Sequence, residues 1–152
     1  MKINIILITY NHSNYIRPAL ESILMQETSY DVEIIVADDC STDNTVEIIK
    51  EYESKTKFVF LYLHKDQNIG YIRNYQQAFA TCTGDYVAIM EGDDYWVKVS
   101  HLENHINHLE RIPNSSMSYN RHIRLFEDQH REEIFDWTLD TDYELITTDQ
   151  LD

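Results

Sequence analysis

The strongest constraint on the fold is a run of apolar residues that does not alternate. Ile3, Ile5, Ile6, Leu7 and Ile8 follow one another with only Asn4 between them. A strand built from them is apolar on both faces and belongs in a largely parallel sheet covered by helices above and below. The following residues repeat that demand. Ile16, Ala19, Leu20, Ile23 and Leu24 recur at three- and four-residue steps, with Pro18 near enough to the start to sit in a first turn, and predict a helix. Val32 to Ala37 reads as a second strand, stopped by Asp38 and Asp39. Ser41 or Thr42 is placed to cap the next helix, with Asp43 in its first turn and Ile48, Ile49 and Tyr52 along its buried stripe. Phe58 to Leu63 reads as a third strand and Tyr86 to Met90 as a fourth. Between them Ile72, Tyr75, Phe79 and Cys82 mark the inner face of a third helix that ends near Gly84. Strands and helices alternating at this length mean βαβ units and an α/β class.

Beyond Trp96 the pattern changes. Val99, Leu102, Ile106 and Leu109 space like a helix face that closes before Pro113, and Met117 to Phe126 alternates like a strand. Glu132 to Asp142 is acidic and irregular, and Tyr143 to Leu151 reads as a short helix. With 152 residues the expectation is one domain. Its 12 basic and 27 acidic side chains give a net charge of −15, a field that repels nucleic acid. Cys40 and Cys82 are too few for a disulfide framework and suit a reducing cytoplasm as free thiols. No apolar stretch near the start is long enough to span a bilayer or to act as a secretory leader, so the expected location is the cytoplasm, with room for peripheral association at the inner face of the membrane.

In parallel sheets, ligands gather outside the carboxyl ends of the strands. Here those ends are Thr9-Tyr10-Asn11, Asp38-Asp39, the loop from His64 to Gly70, and Glu91-Gly92-Asp93-Asp94. Three carboxylates on one short loop repel one another unless a cation lies between them, and hard oxygen ligands favour Mg²⁺ or Mn²⁺. Glu91, Asp93 and Asp94 are therefore the metal-site residues expected from the sequence; a solvated acidic turn has the same composition. Asp39 can accept hydrogen bonds from a base or ribose, and Asp38-Asp39 can equally serve helix capping. Thr9, Tyr10 and Asn11 offer a hydroxyl, an aromatic face and an amide. His101, His105 and His108 share a helical face, which reads better as a solvated face than as a zinc site because the Glu of the protease motif is missing.

The segments ITYNHSNYIRPALESILMQ, IIVADDCSTDNT and NIGYIRNYQQAFATCTGDYVAIMEGDDYW, in this order and spacing, closely resemble the nucleotide-sugar-binding part of the family 2 glycosyltransferases. The resemblance implies a GT-A, Rossmann-like fold with a mostly parallel central sheet and helices on both faces. It implies residues 1–96 as the nucleotide-sugar-binding part and 97–152 as the start of an acceptor-side part, within a single domain truncated on that side. It further implies metal-dependent, inverting transfer from a nucleoside-diphosphate sugar, above all a UDP-sugar. The acceptor would be a saccharide or lipid-linked saccharide in cell-surface polysaccharide biosynthesis. By similarity, Thr9 and Tyr10 line the base pocket, Asp39 holds the base, and Arg73 belongs to the family's recurrent Arg-Asn pair. Asp93 lies toward ribose or metal and Asp94 on the metal of the DXD-type motif. The first acid is Glu91 where Asp is usual, and Val97-Lys98-Val99 stands in place of an Asp-Pro pair. Asp136, Asp140, Asp142 and Glu144 stand in no motif that would mark one as the catalytic base, which stays unassigned. The alternative is a truncated or inactive module that binds donor without transfer. A signalling receiver domain is disfavoured because the first strand ends in Thr9-Tyr10-Asn11 rather than an acidic pair.

Overall fold

All four predicted strands of the first part join one sheet. In the computed structural model, which describes residues 1–119, 122–126 and 131–135, β1 (Lys2–Thr9), β2 (Asp31–Asp38), β3 (Val59–Tyr62) and β4 (Tyr86–Glu91) pair in parallel in the order β3-β2-β1-β4. The central position of β1 explains its lack of alternation, since Ile3 and Ile5 to Ile8 are all buried between two layers. Helices α1 (Ile16–Leu24), α2 (Thr45–Glu53) and α3 (Tyr71–Thr81) connect the strands. Winding runs outward from β1 to β3 and then returns to place β4 on the other side of β1. Right-handed crossovers therefore put α1 and α2 on one face and α3 on the opposite one. On the α3 face, Ile6, Ile8, Ile35 and Ala37 pack with Ala78.

The stripe of α1 follows its spacing, with Ile16, Ala19, Leu20 and Ile23 all fully buried. That of α2 does too, through Ile48, Ile49 and Tyr52. The cap of α2 differs from expectation. Ser41 turns back to Asp38, the helix starts only at Thr45, and Asp43 stands before it rather than in its first turn. Asp43 accepts hydrogen bonds from the Thr45 amide at 3.0 Å and hydroxyl at 2.5 Å, and from the Ser13 amide at 3.0 Å. Burial alone would raise its pKa; the bonds from Thr45 and Ser13 outweigh that and hold it at about 2.

The inner face of α3 also needs correction. Ile72 and Phe79 are 65% and 46% exposed, while Asn74 and Ala78 are buried; Tyr75 and Cys82 are half-buried. A polar bond decides the rotation. Asn74 donates from Nδ2 to the Ala37 carbonyl at the end of β2, at 2.7 Å, and an apolar stripe cannot reveal such an anchor. At the opposite end of the sheet, the buried Asn4 accepts the Thr83 amide at 2.8 Å and donates to Glu33 at 2.8 Å.

Backbone contacts divide the chain into Met1–Leu102 and Glu103–Asp152. Helix α4 (His101–Arg111) is followed by a hairpin of β5 (His122–Phe126) and β6 (Arg131–Phe135), paired antiparallel. The segment from Glu132, expected to be irregular, thus contains a strand through Phe135; backbone pairing with β5 defines it, not alternation of apolar side chains. The expected helix from Tyr143 to Leu151, and Asp136, Asp140, Asp142 and Glu144, lie outside the described residues. Among the described residues no helix is long and apolar enough to cross a membrane.

Candidate active site

The reversal of winding lies between β1 and β4, and open parallel sheets form their ligand crevice at such a switch point, outside the carboxyl ends of the strands. Register brings the expected residues to that edge: Thr9 is opposite Asp38, and Ile8 is opposite Glu91. The loop ends are braced to one another. The Asp39 amide bonds the Thr9 carbonyl at 2.9 Å. Asn11, at φ +56°, receives the Thr42 amide on Oδ1 at 2.8 Å and donates its own amide to Ser41 Oγ at 2.8 Å. Asn11 therefore joins the first loop to the second, while the ring of Tyr10 stays 44% exposed and open to stacking.

Asp39 is buried, and its two carboxylate oxygens accept the Ile69 and Gly70 amides, both at 2.9 Å. This brace was not legible in the sequence. It holds the loop that leads into α3, and each oxygen keeps a second lone pair for another donor. Lys65 also reaches this edge, its Nζ donating to the Asp38 carbonyl at 2.8 Å. Burial lowers its pKa against the opposing pull of Asp39 and Asp38. Arg73 is exposed in the first turn of α3.

The acidic turn divides between two sides of β4. Because side chains alternate along a strand, Glu91 shares the α3 side with Ile8, and its Oε1 accepts the hydroxyls of Tyr71 and Tyr75, both at 3.0 Å. Gly92 faces the other way and is buried. A Cβ there would lie 2.6 Å from His12 Nδ1 and 2.8 Å from Thr9 Oγ1, so only glycine fits. Those two polar atoms are shut off from solvent and have no hydrogen-bond partner among the described residues. Asp93 Oδ1 lies 4.0 Å from His12 Nδ1, and Asp93 and Asp94 are exposed. Glu91, Asp93 and Asp94 are expected together at a metal site; among the described residues no three His, Cys, Asp or Glu side chains are grouped to hold a metal ion. The strand pleat directs Glu91 to the tyrosines instead. On α4, His101 stacks on Trp96 and His105 bonds Ser118 at 2.7 Å. Cys40 and Cys82 are free thiols.

A family model for glycosyl transferase family 2 matches residues 4–148. The chain belongs to this family. It is 35% identical over 132 residues to the uncharacterised protein Rv1520 of Mycobacterium tuberculosis, a match covering 87% of this chain and 38% of that one. It is 34% identical over 97 residues to the putative teichuronic acid biosynthesis glycosyltransferase TuaG of Bacillus subtilis, covering 63% of this chain and 37% of TuaG. The chain thus spans less than two fifths of the length of these relatives. Among solved structures it is similar to S. aureus TarS in complex with UDP, with a TM-score of 0.60, 28% identity, and coverage of 73% of this chain and 32% of that one. The mannosyltransferase PcManGT of Pyrobaculum calidifontis, solved with GDP-Man and Mn²⁺, shares the fold at a TM-score of 0.65 and 22% identity, over 74% of this chain and 33% of that one. This family 2 chain has the GT-A arrangement, a parallel sheet flanked by helices.

Proposed function

We propose that the chain carries the donor-binding part of an inverting glycosyltransferase that uses a UDP-sugar. The observation that carries this reading is the meeting of a stackable Tyr10, a buried Asp39 and the exposed Asp93-Asp94 pair along one crevice edge at the switch point. Tyr10 offers a ring face to the base, Asp39 offers its remaining lone pairs to a base N–H, and Arg73 offers positive charge to the diphosphate. Asp93 and Asp94 fit a hard divalent ion, which takes one or two carboxylates and completes its shell with water and phosphate oxygens. Mg²⁺ or Mn²⁺ held there would supply counter-charge to the departing diphosphate. The similarity to TarS, solved with UDP, supports a uridine nucleotide. The relative named for teichuronic acid biosynthesis supports a saccharide or lipid-linked saccharide acceptor. A cytoplasmic location at the inner face of the membrane fits such an acceptor.

The test is calorimetric titration of the 152-residue chain with UDP, in Mn²⁺ and in EDTA. UDP is expected to bind more tightly in Mn²⁺, and Asp94→Ala is expected to erase that difference without lowering the melting temperature, because Asp94 is exposed. Binding with the same metal dependence in the variant would remove Asp94 from the site, and no UDP binding by the parent chain would overturn the reading.

A further inference from the structure

Glu91 occupies the first position of the acidic motif, yet its surroundings are phenolic. Tyr71 and Tyr75 stand one helical turn apart on α3, and both donate to the same Oε1 at 3.0 Å. Their rings meet edge to face at 4.7 Å, and Tyr75 stacks on Phe79 at 6.3 Å. The Tyr75 ring also packs against the Ile6, Ile8 and Ala78 cluster, and its hydroxyl is held well above the usual phenol range by burial first and by Tyr71 and Glu91 next. The same stretch of chain is held a second time, by Asp39 on the Ile69 and Gly70 amides just before the helix. Two carboxylates at the ends of β2 and β4 thus fasten the start of α3 from both sides.

We propose that Glu91 is a positioning residue that acts through Tyr71 and Tyr75 to hold the first turn of α3, with Arg73, at the crevice edge, and that it is not a cation ligand. Two 3.0 Å bonds on one oxygen define its direction toward α3, whereas Asp93, in the turn beyond the end of β4, lies beside His12. A charged acceptor with two hydroxyl donors is stronger than a neutral pair and gives the helix start a fixed position. Its nucleotide readout rests on the donor-site reading above; its structural readout does not.

The experiment compares Glu91→Ala, Glu91→Gln and the double variant Tyr71→Phe with Tyr75→Phe in the 152-residue chain. Amide hydrogen exchange is followed at residues 74–76, and UDP is titrated across a Mn²⁺ series. Loss of the tether is expected to speed exchange about tenfold in Glu91→Ala and in the tyrosine double variant. Glu91→Gln keeps an oxygen acceptor without its charge and is expected to exchange at a rate between those of Glu91→Ala and the parent. The UDP dissociation constant should rise in the first two variants while half-saturation by Mn²⁺ stays the same in all three. The proposal is overturned if exchange in Glu91→Ala matches the parent, or if Glu91→Gln shifts Mn²⁺ half-saturation as loss of a ligand would. Should the parent chain bind no UDP, the donor-site reading fails and exchange alone still decides the tether.

Discussion

The two faces of the sheet are built by different forces. On the α1 and α2 side, Ile16, Leu20, Ile23 and Ile49 are fully buried, and the polar bonds between the two helices, Tyr52 to Glu21 at 2.8 Å and Arg17 to Glu51 at 3.1 Å, lie outside that apolar layer. On the α3 side, Asn74, Asp39 and Glu91 determine where the helix sits, and Ile72 and Phe79 are left outside. The first face obeys the area of apolar surface removed from water, a quantity that spacing along the chain records. The second obeys a few directed bonds between distant residues, and spacing does not record those.

The sharpest way to break this contrast is truncation on each face. Leu20→Ala is expected to cost about 2–5 kcal/mol in a urea titration, because it opens a cavity in a fully packed layer. Ile72→Ala on α3 is expected to stay within about 0.5 kcal/mol; comparable losses at the two positions would erase the distinction. Asn74→Ala comes next in size, at about 1–3 kcal/mol for the buried Ala37 carbonyl left without its donor. Asn74→Leu should not recover that loss if a polar bond, rather than volume, orients α3.

The smallest effect concerns the loop side of α2. The folded pKa of Asp43, about 2, lies below its ordinary 3.8. Its charged form therefore favours the folded state above about pH 4, and that contribution is lost as pH falls toward 2. Asp43→Asn should flatten this part of the stability profile measured by thermal melting between those pH values. A profile as steep as that of the parent would assign the acid sensitivity to other carboxylates.

Much of the site was legible because strand ends are legible. Thr9, Asp38 and Glu91 each follow an apolar run, and parallel pairing brings such ends to one edge. What each side chain does there was not. The second role of Asp39 depends on the loop at Ile69 and Gly70, thirty residues downstream, and that of Glu91 on two tyrosines earlier in the chain. His12 and its place against Gly92 carry no sequence signature at all, since the contact exists only once the loop after β1 meets the turn after β4.

By itself the sequence determined the α/β class, the four parallel strands, the buried stripes of α1 and α2, and the acidic edge, because burial of apolar surface and strand termination are properties of neighbouring residues. Only the tertiary structure decided the rotation of α3, the cap of α2 and the parting of Glu91 from Asp93. Those outcomes rest on hydrogen bonds that form only once loops and helices are docked, and Asp93 lies in the turn beyond the end of β4, where the alternation of the strand no longer sets its direction.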